Sequence, residues 1–133
     1  MRPFTALPAA LLLAVLSLAS GFTNSSVAAD KKTELKPIYT AQETAEFQTL
    51  TKATLEALNA GKTTEVVEKL TDLETAWDAK EKVLKPKNEK TWVVIDKTLD
   101  QAISALRSSK KDPTKGKAAL ADLLKKLEQA TKP

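Results

Sequence analysis

From residue 41 to residue 130 the apolar side chains recur in steps of three and four, and residues that end helices interrupt the recurrence three times. Alternating steps of three and four keep to one face of an α-helix, whereas a half-buried strand needs steps of two. Nothing in this region alternates with period two over strand length, so the chain is constrained to helices joined by short turns. Thr40 and Glu43 have the spacing of a capping box, in which the hydroxyl accepts from the Glu43 amide and the carboxylate reaches back. A first helix is expected over about Ala41–Ala60, burying Phe47, Leu50, Thr54, Ala57 and Leu58. Gly61 suits the left-handed residue that ends it.

The second helix begins near Thr63 or Thr64 and is expected to reach Leu84, with Val66, Leu70, Leu73, Trp77 and Leu84 on one face. Pro86 then disfavours helix at Lys85. Asn88 is a natural cap for a third helix, whose stripe is Trp92, Ile95, Leu99, Ile103 and Leu106. Asp112 followed by Pro113 pairs a cap with proline at the first helical position. The fourth helix carries Leu120, Leu123, Leu124, Leu127 and Ala130. Short connections make neighbours antiparallel. The expected fold is therefore all-α, an up-down-up-down antiparallel four-helix bundle over residues 40–131, preceded by a flexible leader at 30–39.

Met1–Ala29 reads as a secretory signal peptide. Arg2 supplies the positive end, Ala9–Ala19 the apolar core, and Val27-Ala28-Ala29 the small residues before a cut. The apolar core would span only about 16 Å as a helix, against roughly 30 Å of hydrocarbon, so no permanent membrane span is expected after its removal. The chain has no cysteine, so an exported domain must hold itself together by packing, without disulfides. That suits a bacterial periplasm or a cyanobacterial lumen better than animal secretion, and the expected location is periplasmic or extracellular.

The chain also lacks histidine, and its single methionine is Met1. Thiolate and imidazole chemistry, histidine or methionine haem ligation, and the usual zinc, copper and iron–sulfur sites are thereby excluded. No nucleophile–base pair is evident, and a slim bundle offers little cleft. The expectation is that the protein is not an enzyme. Twenty-one basic and seventeen acidic residues are intermixed. After Arg2 the one arginine is Arg107, and a nucleic-acid reader would cluster arginines with aromatics, so no nucleic-acid binding is expected. The pairs Glu65–Lys69, Asp78–Lys82, Glu81–Lys85 and Asp122–Lys126 read as solvated helix faces. Lys110, Lys111, Lys115 and Lys117 cluster at the last turn, where they read first as solubilising.

One constellation rises above that background. At about 100° per residue, Glu81, Glu74 and Asp78 lie about 40°, 60° and 100° from Trp77 around the second helix. Asp96 and Asp100 lie about 60° and 100° from Leu99 on the third. In an antiparallel hairpin Asp78 sits level with Asp96, and Glu74 with Asp100. If the flanks face each other, four carboxylates meet beside Trp77 and call for a cation or protons. Oxygen ligands alone favour Ca2+, Mg2+ or Mn2+. If bundle handedness turns both flanks away, toward the first and fourth helices or solvent, lysines answer the acids individually. Trp77 and Trp92 are expected as a core pair, each indole N–H finding an acceptor.

The run Leu73-Glu74-Thr75-Ala76-Trp77-Asp78 with Glu81, then Trp92, Ile95-Asp96 and Leu99-Asp100, resembles a family of small exported bacterial helical-bundle proteins of uncharacterised function. In outline the chain is also similar to the cytochrome b562 type of periplasmic bundle, without its haem ligands. The resemblance implies a periplasmic helical bundle. The leading functional expectation is a non-catalytic accessory or sensor-like module that presents a helical face to an unknown protein partner. Val67, Val83, Val93 and Val94 fall off the core stripes, and Val93 and Val94 are taken as the candidate partner surface. The alternative is a cation- or small-ligand-binding bundle centred on Glu74, Asp78, Asp96 and Asp100.

Overall fold

A computed structural model describes residues 34–133; the expected signal peptide, its cleavage point and residues 30–33 lie outside the described residues. Within that range the protein is all-helical. Four long helices, α1 (Ala41–Asn59), α2 (Thr63–Ala79), α4 (Glu89–Arg107) and α5 (Pro113–Ala130), are joined by turns and by a one-turn helix, α3 (Glu81–Leu84). A 3-10 turn, Lys85–Lys87, follows α3.

The starts of α1, α4 and α5 and the end of α1 are closed as the sequence specifies. At α1 the Thr40 amide donates to Glu43 Oε2 at 2.9 Å and the Glu43 amide donates to Thr40 Oγ1 at 3.2 Å. Its other end closes at Gly61, whose φ of 71° is left-handed. The Gly61 amide bonds the Leu58 carbonyl and the Lys62 amide the Ala57 carbonyl, satisfying two orphan acceptors at once. Asn88 Oδ1 accepts from the Thr91 amide at 2.9 Å, and Asp112 Oδ1 from the Lys115 amide at 2.9 Å.

The expected second helix is two helices. It breaks at Lys80, whose amide bonds the Trp77 carbonyl in the tighter i−3 pattern, and the chain re-enters helix as α3. The break leaves Leu84 buried at 1% exposure. Lys85, expected to leave helical space before Pro86, instead keeps φ −59°, ψ −44°. Its amide bonds the Glu81 carbonyl and its ammonium the Glu81 carboxylate at 2.8 Å, interactions that outweigh the local proline clash.

Trp77 sits at the centre of the core. Trp92 stacks on it with centroids 3.9 Å apart and planes within 7°, and Phe47 meets it edge-on at 5.1 Å. Around them Leu70, Leu73, Leu84, Ile95, Leu99, Leu106, Leu120, Leu123 and Leu127 are buried, as the stripes required. Leu50 and Ile103, also expected in the core, are half-buried and pack against its edge. On α1 the buried face is Thr44, Phe47, Thr51, Thr54 and Ala57, rotated from the expected one. Threonine fits there because its hydroxyl is satisfied on its own helix. Thr51 Oγ1 donates to the Phe47 carbonyl at 2.6 Å and Thr54 Oγ1 to the Leu50 carbonyl at 2.7 Å.

The segment expected as a flexible leader packs on the domain over its described part, residues 34–39. Leu35 and Tyr39 are buried, and Tyr39 bridges Thr131. The Ile38 and Tyr39 amides both donate to the Ala130 carbonyl, and the Lys132 amide donates to the Tyr39 carbonyl. The physical reason is apolar: Leu35, Ile38 and Tyr39 cover the end where α1 meets α5, a gain the flanking charges conceal in the sequence.

Candidate functional site

The corresponding flanks of α2 and α4 do carry their acids into a shared field, beside the stacked tryptophans. Glu74 on α2 and Asp96 on α4 are half-buried, while Asp78 and Asp100 are exposed. The inner two are already engaged. The Trp77 indole N–H donates to Asp96 Oδ1 at 3.0 Å. Arg107 Nη1 donates to Glu74 Oε2 at 2.6 Å, and its Nη2 to Thr71 Oγ1 at 2.6 Å. These bonds tie α4 to α2, a pair whose backbones approach less closely than α1 to α2 or α4 to α5.

The outer two acids register the crowding. Desolvation raises the Asp78 carboxyl above its ordinary value, and the negative charges of Glu74, Asp96 and Glu81 add to it. Asp100 is raised by desolvation and then by Asp96, Glu74 and Asp78. Neither has an ion-pair partner among the described residues; the expected Asp78–Lys82 pair is not formed. Glu65 also re-pairs, with Lys62 at 3.1 Å rather than with Lys69. The Glu81–Lys85 and Asp122–Lys126 pairs are present at 2.8 Å each.

Among the described residues no group of three or more acids is placed to hold a metal ion. Chemically, the flank is a negative patch stitched by one arginine and one indole. Arg107 was the missed residue, and its signal was available: eleven residues at about 100° each bring it to within about 20° of Asp96.

Val93 and Val94, the expected partner surface, are half-buried and pack against the core cluster. Val83 on α3 is 54% exposed and stands clear instead. A wide concavity lies elsewhere, between α4 and α5. It is an open groove of about 600 Å³ lined by Gln101, Ser104, Ala105, Ala118 and Ala119, with Lys115 and Asp122 along its α5 side. The small side chains of both helices make this groove, which the aliphatic stripes alone did not reveal.

Among the described residues one buried side-chain polar atom has no hydrogen-bond partner. The Tyr39 hydroxyl is enclosed under the α1 end, and its pKa is pushed up to about 12 by burial and, less, by the charge of Glu43. It is thus held as a neutral phenol, poorly disposed to act as a base.

The chain matches no protein-family model, no curated protein and no solved structure.

Proposed function

We propose that the protein is an exported, non-catalytic accessory module of sensor-like type, built as an up-down-up-down four-helix bundle, that receives an amphipathic helix of a protein partner in the groove between α4 and α5. Antiparallel packing is supported by the order of contacts. A Cβ at Gly116 would strike Leu106, Lys126 reaches Thr98, Trp77 reaches Asp96, and the start of α1 meets the end of α5. Export rests on the Met1–Ala29 pattern, and no described helix is long and apolar enough to cross a membrane.

The observation that carries the reading is the groove itself. Alanine and serine at Ser104, Ala105, Ala118 and Ala119 let a third backbone approach two helices closely, and its walls are chiefly apolar. Lys115 and Asp122 are seven residues apart on α5, which sets their heights about 10 Å apart. A complementary helix carries an acid against Lys115 and, two turns along, a base against Asp122. The existing Asp122–Lys126 pair is half-exposed and exchanges at little cost. The competing expectation, a Ca2+, Mg2+ or Mn2+ ion among Glu74, Asp78, Asp96 and Asp100, would have to share Glu74 with Arg107 and Asp96 with the Trp77 indole.

A photoreactive side chain at Ala118, compared with one at the exposed Glu68 on α2, tests the groove in the producing cell. The reading expects one discrete crosslinked protein from Ala118 and none from Glu68, with the crosslink mapping to an amphipathic helix. Equal, diffuse labelling from both positions would refute it.

A further inference from the structure

A second cavity lies at the end of the molecule where the α1–α2 turn faces the start of α5. It encloses about 280 Å³ and is lined by Leu58, Val66, Val67, Leu106 and Pro113, with Gly61, Thr63 and Lys111 completing it. Two glycines shape it. A Cβ on Gly61 would meet nothing within 4 Å, so the turn leaves the space open. Gly116 lets Leu106 lie directly over α5, where a Cβ would stand 2.3 Å from Leu106 Cδ2. Leu106 therefore forms one wall of the cavity.

The chemistry of the lining is one-sided. The walls are aliphatic, the hydroxyl of Thr63 is the neutral polar side chain, and Lys111 is the one ionisable group among the lining residues; Asp112, next in the chain, is not among them and caps α5 through its Oδ1. Lys111 has no ion-pair partner among the described residues. Lys110 precedes it in the chain, and α2 starts at this rim without a side-chain cap, which adds to the positive potential. An apolar interior with a single cation is complementary to an aliphatic tail ending in one negative charge. The volume sits just under the usual ~300–1,000 Å³ of ligand sites, so the tail is short.

We propose that this cavity binds a small amphipathic carboxylate. The aliphatic tail lies between Leu58, Val66, Val67 and Leu106, and the carboxylate is held by the Lys111 ammonium with Thr63 as hydrogen-bond donor. The site is separate from the α4/α5 groove and from the acidic flank, and it stands or falls independently of the partner helix.

Calorimetric titration of the purified protein with octanoate and with octylammonium tests it, using Lys111→Glu and Val67→Trp variants. Octanoate should bind saturably at one site and octylammonium at least tenfold more weakly. Lys111→Glu should lower octanoate affinity at least tenfold, and Val67→Trp, which fills the cavity, should abolish binding. Amide shifts of the unsubstituted protein should then move at Gly61, Thr63, Val67 and Lys111, a readout that does not depend on either variant folding. No saturable binding of octanoate, equal binding of octylammonium, or shifts scattered over the surface would overturn the proposal.

Discussion

Tyr39 is the residue at which burial and polarity conflict most directly. Its ring covers the junction of the chain ends, while its hydroxyl gains no partner in return for losing water. An unmet buried donor costs about 1–3 kcal/mol, so Tyr39→Phe should raise stability by about 1 kcal/mol. The sign of the pH effect follows from the raised pKa. The unfolded phenol ionises near 10.0 and the folded one near 12, so the folded state holds its proton longer. Its contribution is fully present below pH 10.0 and is lost as pH rises toward about 12. Denaturant melts across that range should show the slope in the parent and a shallower one in Tyr39→Phe.

Asp78 makes the complementary case on the acidic flank. Glu74 and Asp78 are a like-charged i, i+4 pair, destabilising by about 0.2–0.5 kcal/mol. Asp78→Asn should therefore stabilise by that amount at neutral pH. The folded carboxyl binds its proton more tightly than the ordinary value of 3.8, so the gain should vanish at pH below 3.8, where the parent carboxyl is already neutral in both states. Gly116 tests packing rather than charge. In Gly116→Ala the new Cβ displaces Leu106, which has the adjoining cavity to move into, so the loss should fall near the low end of about 1–3 kcal/mol. Combining it with Leu106→Ala should cost less than the two separately, because the second change removes the clash.

At the scale of elements, the ends of helices were legible and their rotations less so. Thr40, Glu43, Gly61, Asn88, Asp112 and Pro113 act on amides and carbonyls a few residues away, so their chemistry is contained in the local sequence. Thr40→Ala should accordingly cost about 1 kcal/mol in thermal or denaturant melts, mostly through fraying of the α1 start. The faces of α2, α4 and α5 were also legible, because leucine, isoleucine and tryptophan mark them. The face of α1 was not: Thr44 and Thr51 look like surface residues until their hydroxyls are paid off within their own helix or, for Thr44, against Thr131. The break at Lys80 has no glycine or proline to announce it. It arises because Leu84 and α3 must turn toward the core, a tertiary demand that local propensity does not record.

For the whole molecule, the sequence carried the helical class and the tryptophan pair, since Trp77 and Trp92 sit on both stripes close to one turn. Replacing Trp92 with alanine should remove about 3–5 kcal/mol, read as a lower melting midpoint with loss of the stacked-pair signal in near-ultraviolet dichroism. The closed ends were hidden. The 34–39 segment reads as a charged leader, yet it clasps Ala130 and Lys132 by three backbone bonds, and only long-range proximity reveals that. The candidate site was half legible. Helical angles put the four acids on corresponding flanks but left open whether those flanks face each other, and they did not single out Arg107, three turns from Asp96, as the residue that answers Glu74. The groove between α4 and α5 was invisible, because a concavity is made by what two neighbouring helices lack.

The acidic flank is tied as a structural joint by Arg107 and the Trp77 indole, and the proposed recognition of a partner helix needs a scaffold that is folded without a cation. Thermal unfolding followed by tryptophan emission, in chelator and in saturating Ca2+, Mg2+ or Mn2+, tests it most directly, because Trp77 donates to Asp96 and reports on the flank. A single cooperative transition is expected, with the same midpoint and the same emission in every condition. A saturable rise in midpoint accompanied by an emission change would contradict it and make the four carboxylates a cation site.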